Sequence, residues 1–296
     1  MNIKVSNIVA GFIISMLILS VGTAGERIVV ENVGFATPES VEYYAAEDVY
    51  LVTNINGSPF AVDDNGFISK ISPDGKVLDL KWIDGARSDT RLHGPKGAAI
   101  SGNILYVADH DEVHLFELPS GKQKTSVKIS GSTFLNGITP GGGGSVYTTD
   151  MGATSDNGNF VSSGTDAVYQ VFPDGQYKVV MKDKDMGWPN GIVVSGKHLI
   201  VVTFQSNEVY RVLKNGQRYI LPAPPTGSLD GLIAMDDGSL IMSSWAGSAV
   251  YRLDKNGNYS TVADSLESPS DIGYDNKRNR ILVPLFLKDK VVFLPL

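Results

Sequence analysis

An all-β chain folded as a six-bladed β-propeller is what this sequence predicts, and three observations carry the prediction. Six short apolar runs recur along the chain: VYLVTNI, NILYVAD, SVYTTD, HLIVVTF, SLIMSSW and RILVPLF. They are rich in Val, Ile, Tyr and Leu and bounded by turn residues, as short strands are. Aligning these runs also aligns a turn-like tripeptide before each of them and, in five units, a glycine hairpin after it. A lone strand, RIVVENV at 27–33, belongs to no unit, while the sixth unit is one strand short.

Taken in order, the chain opens with a segment of export character. Lys4 supplies a positive start, Ile8 to Val21 is apolar apart from Gly and Ser, and Gly22-Thr23-Ala24 presents small residues for cleavage. The apolar stretch is short for a transmembrane span, so a signal peptide over residues 1–24 is expected, with an uncleaved anchor as the alternative. The mature chain, 25–296, is then one propeller domain without a membrane span, exported to the periplasm or secreted. There is no cysteine among the 296 residues, which removes disulfides, thiol catalysis and Cys-ligated zinc. A net charge of −7 with no Lys/Arg run argues against nucleic acid or an anionic membrane as partner.

Each repeated unit begins with a tripeptide: PES (38–40), PKG (95–97), LNG (135–137), PNG (189–191), LDG (229–231) and SDI (270–272). The apolar run comes next, then a third strand, then a hairpin written PDG, PSG, PDG, KNG or KNG, where Gly supplies positive φ. KVLDLKWI, QKTSVKI, QYKVVM, QRYILPA and NYSTVAD read as fourth strands. Four-stranded units repeated at roughly forty residues mark a propeller. The strand at 27–33 is expected to complete the last blade and close the ring, which removes the open sheet edges. A pair of β-sandwiches would leave the common register unexplained.

In a propeller the first strand of each blade lines the central channel. Equivalence of the tripeptides therefore predicts a ring of Glu39, Lys96, Asn136, Asn190, Asp230 and Asp271 around one mouth. All but Lys96 offer oxygen. Hard oxygen donors without His or Cys favour calcium or magnesium over softer metals. Asn-Gly and Asp-Gly before a strand are also ordinary turn chemistry, which is the structural alternative. Lys96 is expected to pair with Glu39 or Asp271 or to meet a substrate. The ends of the second strands, read as Asn54, Asp109, Asp150, Phe204, Trp245 and Phe286, predict a rim half polar and half aromatic, with Trp188 beside it. Lys96, Asn136, Asp150, Trp188 and Trp245 are the expected substrate contacts. Residues 84–94 and 151–166 read as polar rim insertions. G-x-S-x-G, H-E-x-x-H and Walker motifs are absent. Of four histidines only His110 is placed as a candidate base, and a surface role is the expected one.

The PES, LNG, PNG and LDG tripeptides, in that order, resemble those of the gluconolactonase/regucalcin (senescence marker protein) family, related to paraoxonases and strictosidine synthase-like proteins. The resemblance covers nearly all of the mature chain. It implies a six-bladed propeller with a divalent cation in its channel and hydrolysis of lactones or related esters. Glu39, Asn190 and Asp230 fall where the family places metal ligands, and Asn136 where it places an additional or substrate-side ligand. The implied cofactor is one divalent cation, calcium foremost, with Mg2+, Mn2+ or Zn2+ as alternatives. The implied catalytic residue is Asp230, ligand and general base. The ligand expected is a lactone, ester or sugar-like small molecule. The alternative reading is a non-catalytic exported propeller that binds a small ligand, a sugar or a protein.

Overall fold

The computed structural model describes residues 26–296; the expected signal peptide at 1–24 lies outside them. Six four-stranded antiparallel sheets stand in a ring, the predicted six-bladed propeller. Blade one runs Pro38–Tyr44, Val49–Asn54, Phe67–Ile71 and Val77–Asp84, from the channel outward. Blade two runs Pro95–Ser101, Ile104–Asp109, Glu112–Glu117 and Lys122–Lys128. Blade three comprises Leu135–Pro140, Val146–Asp150, Ala167–Val171 and Tyr177–Lys182. Blade four comprises Pro189–Ser195, His198–Thr203, Val209–Val212 and Arg218–Ile220, and blade five Leu229–Ala234, Leu240–Ser244, Ala249–Leu253 and Tyr259–Ala263. Blade six is assembled from both ends of the described chain: Gly273–Asp275, Arg280–Leu285 and Lys290–Pro295, with Ile28–Val30 as its outer strand. Ile28 pairs with Phe293 and Val30 with Val291, so the sixth blade gains its fourth strand from the N-terminal side as expected.

The core lies between blades. Leu51 and Ile68 of blade one pack against Leu105, Val107 and Phe116 of blade two, all buried. The same contact recurs around the ring because alternation along each strand gives every sheet two apolar faces. Burying one such side chain contributes about 1.5–3 kcal/mol. The seam between blades six and one adds polar contacts. Tyr50 donates to Asp275 at 2.5 Å, Arg278 bridges Asp275 and Asp48, and Arg280 donates to the Tyr50 hydroxyl.

One irregularity repeats around the ring and shapes the mouth of the channel. In blades one to five the pairing between first and second strands skips at the same place. Pro38 pairs with Asn54 and Val41 with Val52, so Glu39 and Ser40 together oppose Thr53 alone. This is a β-bulge, which bends the strand and re-aims a side chain. It lifts Glu39, Lys96, Asn136, Asn190 and Asp230 out of the ladder. The glycine after the bulged residue is required by crowding rather than by a turn. A Cβ on Gly137 would sit 2.3 Å from the Asn190 carbonyl oxygen, and one on Gly191 would sit 2.2 Å from that of Asp230.

Alternate blades then stitch the bulges together. Thr53 accepts from the Ser40 N–H and donates to the Lys96 carbonyl. Thr149 accepts from the Gly137 N–H and donates to the Asn190 carbonyl, and Ser243 does the same between Gly231 and Ser270. Each hydroxyl ties one inner strand to the next. The pattern also corrects the expected ring of six. Ser270, not Asp271, stands where Lys96 and Asn190 stand, and Pro269 pairs with Leu285 as Pro38 pairs with Asn54. Asp271 occupies the position that is Ser40 in blade one and Gly in blades two to five. There its carboxylate accepts from Ser40 Oγ at 2.9 Å, across the closing seam.

Candidate functional site

Glu39, Lys96, Asn136, Asn190 and Asp230 are brought together on one level, each 4% exposed or less. They form the polar floor of a cavity of about 360 Å³ at the mouth of the channel. Trp245 donates its indole N–H to Asp230 Oδ2 at 2.8 Å and so fixes that carboxyl. Asn136 Nδ2 has only the Met151 sulfur, at 3.6 Å. Among the described residues, Glu39 Oε2, Asn136 Oδ1 and Asp230 Oδ1 are buried with no hydrogen-bond partner. Orphaned buried oxygens are costly, and three facing one cavity need a common partner.

The electrostatics point the same way. Burial raises the Glu39 carboxyl well above its usual range, the charges of Asp230 and Asp271 push further, and Lys96 pulls back. Burial and then Asp271 raise Asp230, while Trp245 and Asn190 oppose the shift. Below the floor Asp271 is pushed up to about 7, chiefly by burial, and Glu42 to about 8 by burial and then the Asp271 charge. The channel is thus rich in carboxyls that a cation would stabilise. Among the described residues no three His, Cys, Asp or Glu side chains gather as a metal cluster. A cation on this floor would rest on two carboxylates supplemented by carboxamides. Oxygen donors of that kind suit calcium or magnesium, so the residues fit the expected group.

Lys96 pairs with neither Glu39 nor Asp271. Its ammonium donates to the Gly94 carbonyl at 3.0 Å and lies 4.2 Å over the Phe134 ring. Burial pushes its pKa down, against the pull of Asp109, Glu39 and Asp150.

The expected half-polar rim is not formed. By pairing, the second-strand ends are Asn54, Asp109, Asp150, Thr203, Ser244 and Leu285. Three of these hold the loop leading into their own blade. Asn54 accepts from Ala36 N, Asp109 from His93 N and Gly94 N, and Asp150 from Phe134 N and Gly152 N. Asp150 is therefore committed to backbone and does not line the cavity. Trp188 packs with Phe134, Met151 and Ala153 behind the wall and does not line it either. One residue further along, Ile55, Met151, Phe204, Trp245 and Phe286 do form the wall.

Two insertions complete the site. Residues 55–66 of blade one bring Pro59 and Phe60. Residues 151–166 form a hairpin, Ala153–Asp156 with Asn159–Ser162, turned by Asn157 and Gly158 at positive φ. Phe160 from this hairpin meets Phe60 at 4.6 Å and Phe134 at 5.8 Å between ring centroids. The polar composition of 151–166 hides this aromatic role; the only signal is a single Phe in a Ser/Gly-rich insertion. Residues 84–94 instead pack against the blade-one insertion, Leu92 N donating to Asp64. His110 bonds the Ala61 carbonyl at 2.8 Å and anchors the same insertion, outside the cavity. His114 is 1% exposed between Asp109 and Ser126 inside blade two, where it braces the Asp109 carboxylate.

Fold and floor together define a six-bladed β-propeller with a polar site at one mouth of its channel. The chain belongs to the SMP-30/gluconolactonase/LRE-like family, whose model matches residues 68–271. It is similar in structure to a gluconolactonase from Xanthomonas campestris, at 18% identity and a TM-score of 0.71, over 92% of this chain and 90% of that one. Virginiamycin B lyase from Staphylococcus aureus is also similar, at 17% identity and a TM-score of 0.62, over 92% of this chain and 100% of that one. At such identities the likeness establishes the fold. No curated protein matches the chain.

Proposed function

We propose that the protein is a divalent-cation-dependent hydrolase of lactones or related esters. The observation that carries this reading is the convergence of the unpartnered Glu39, Asn136 and Asp230 oxygens, with Asn190, on the floor of one cavity. Glu39, Asn136, Asn190 and Asp230 would hold the cation, calcium by preference. When bound, it supplies Lewis-acid polarisation of a carbonyl. The chain's own residues do the rest. Asp230 would take the proton of a water on the floor as the water oxygen adds to the acyl carbon. The acyl C–O bond then breaks, and the proton passes to the departing alkoxide. Trp245 keeps the Asp230 carboxyl in one orientation throughout. The Asn136 amide, held only by a weak sulfur contact, is free to donate to the developing oxyanion. The surrounding wall excludes bulk water. The export signal expected at 1–24 agrees with a periplasmic or secreted enzyme.

Hydrolysis of simple lactones, monitored by acid release, tests the reading. Wild type should turn over, lose activity with chelator and regain it with calcium. Asp230→Asn should fall by at least about a hundredfold, as expected on removing a general base. Full activity in Asp230→Asn would remove that residue from the mechanism. Cation binding without any hydrolysis would make the protein a binding propeller.

A further inference from the structure

The cavity above the floor is divided sharply by chemistry. Its five polar lining residues are all on the floor: Glu39, Lys96, Asn136, Asn190 and Asp230. Everything above them is apolar. The wall is Ile55, Met151, Phe204, Trp245 and Phe286, and the roof is Pro59, Phe134, Phe160 and Leu287. The wall aromatics are mutually packed, Phe204 against Trp245 at 5.6 Å and Trp245 against Phe286 at 5.2 Å, so they present a continuous surface. The indole N–H of Trp245 is already given to Asp230 and offers nothing to a ligand. Lys96 is occupied by the Gly94 carbonyl and the Phe134 ring, which leaves the Asn136 amide, down on the floor, as the free donor.

Two insertions bring Pro59 and Phe160 to the roof, beside Phe134 and Leu287 from the blades' own loops. The blade-one and blade-three insertions approach each other over the channel mouth and meet through Phe60 and Phe160. Phe160 is 43% exposed, an unusual position for a phenyl ring on an otherwise polar hairpin. A ligand that covered it would bury that surface.

We infer that the substrate of this site is a neutral lactone or ester with an alkyl or aryl body, rather than a polyhydroxylated sugar lactone, and that Phe160 and Phe204 select it. This rests on the hydrolase reading above for the word substrate, while the ligand class rests on the wall and roof alone. The ester carbonyl meets the floor, where every polar group is. The body lies against the aromatic wall, gaining contact with each methylene buried. The hydroxyls of a sugar ring would lose water and find no partner there. At about 360 Å³ the cavity is at the small end of ligand sites, which suits one ring with one short substituent.

The test has two arms. In the first, kcat/KM is compared for δ-decalactone and δ-gluconolactone. The alkyl lactone should be preferred by about tenfold or more, since each buried methylene is worth roughly fourfold. Phe160→Ser should raise KM for δ-decalactone about tenfold more than for δ-gluconolactone, with kcat little changed; this site on an exposed hairpin spares the fold. In the second arm, calorimetry measures binding of 2-pentylcyclohexanone, which carries the carbonyl and chain but no ester bond, beside inositol. The ketone should bind and inositol should not. Equal turnover of both lactones, or preference for the sugar lactone, overturns the inference and leaves the hydrolase reading standing. Ketone binding with no hydrolysis of any lactone supports the ligand class and sinks the hydrolase reading. Binding of inositol, or of neither probe, overturns the inference outright.

Discussion

Asp109 carries the clearest pH signature at the scale of single residues. Burial alone would raise its pKa, but hydrogen bonding and the charge of His114, with Lys96 and the Gly94 N–H, hold it well below the usual carboxylate range. A carboxylate with a depressed folded-state pKa stabilises the protein above its unfolded value, near 3.9, and loses that contribution as pH falls below it. Asp109→Asn should therefore cost about 1.5–3 kcal/mol at pH 7, the range for hydrogen bonds to a charged group. The gap from wild type should close as pH drops below about 4. Urea melts across pH 3–7 measure this, and a gap independent of pH would show that Asp109 is not ionised in the fold. In the sequence, polar residues such as this one read as a rim facing ligand. In the structure they hold backbone, because alternation reverses the facing of a strand residue with each step, and a reading one residue out exchanges rim for support. Phe204, Trp245 and Phe286 do lie at the cavity as expected, but as counterparts of Ile55 and Met151, not of Asn54 and Asp150.

The bulged first strand is the element that makes the site. Five floor residues are legible because the tripeptides repeat in order, and symmetry needs nothing more to bring them together. What the tripeptide does not reveal is why glycine ends it. Gly191 is hemmed in by the Asp230 carbonyl, so Gly191→Ala should force the two strands apart, cost about 1–3 kcal/mol and weaken cation binding together with stability. Gly142→Ala, in open space, should stay within about 0.5 kcal/mol of wild type. Equal melting of the two variants would contradict the crowding account. Blade six misleads the sequence reader for a related reason. Its entry is PSD at 269–271, one residue before SDI: Pro269 pairs with Leu285 and Gly273 with Leu282, the spacing by which Pro38 pairs with Asn54 and Glu42 with Leu51, so Ser270 takes the ring position and Asp271 follows it. SDI looks like LDG with a changed last letter, but it starts one residue too late, and a one-residue slip exchanges the ring residue for its neighbour.

At the scale of the whole molecule, ring closure joins residues far apart in sequence, and the floor exists only if the ring closes. Ile28–Val30 covers the outer edge of Lys290–Pro295, and Val30 and Phe293 share a core cluster with Tyr50 of blade one. Removing residues 26–33 should uncover that edge, lower Tm for the whole ring in a single transition and promote aggregation; unchanged melting by calorimetry would mean that blade six is complete without it. The closure strand and the blade count are legible because a missing strand and a spare one are both visible in a repeat. The aromatic roof is not, since two insertions meet only in three dimensions. The proposed activity depends above all on a cation site formed by Glu39, Asn136, Asn190 and Asp230 where the blades converge. Its most direct test is the metal content of the mature protein by elemental mass spectrometry after equilibration with calcium, wild type beside Asp230→Ala. About one calcium per chain in wild type, lost in a variant that keeps its β-sheet circular dichroism, is the predicted result. No calcium in either protein, or equal calcium in both, would contradict it.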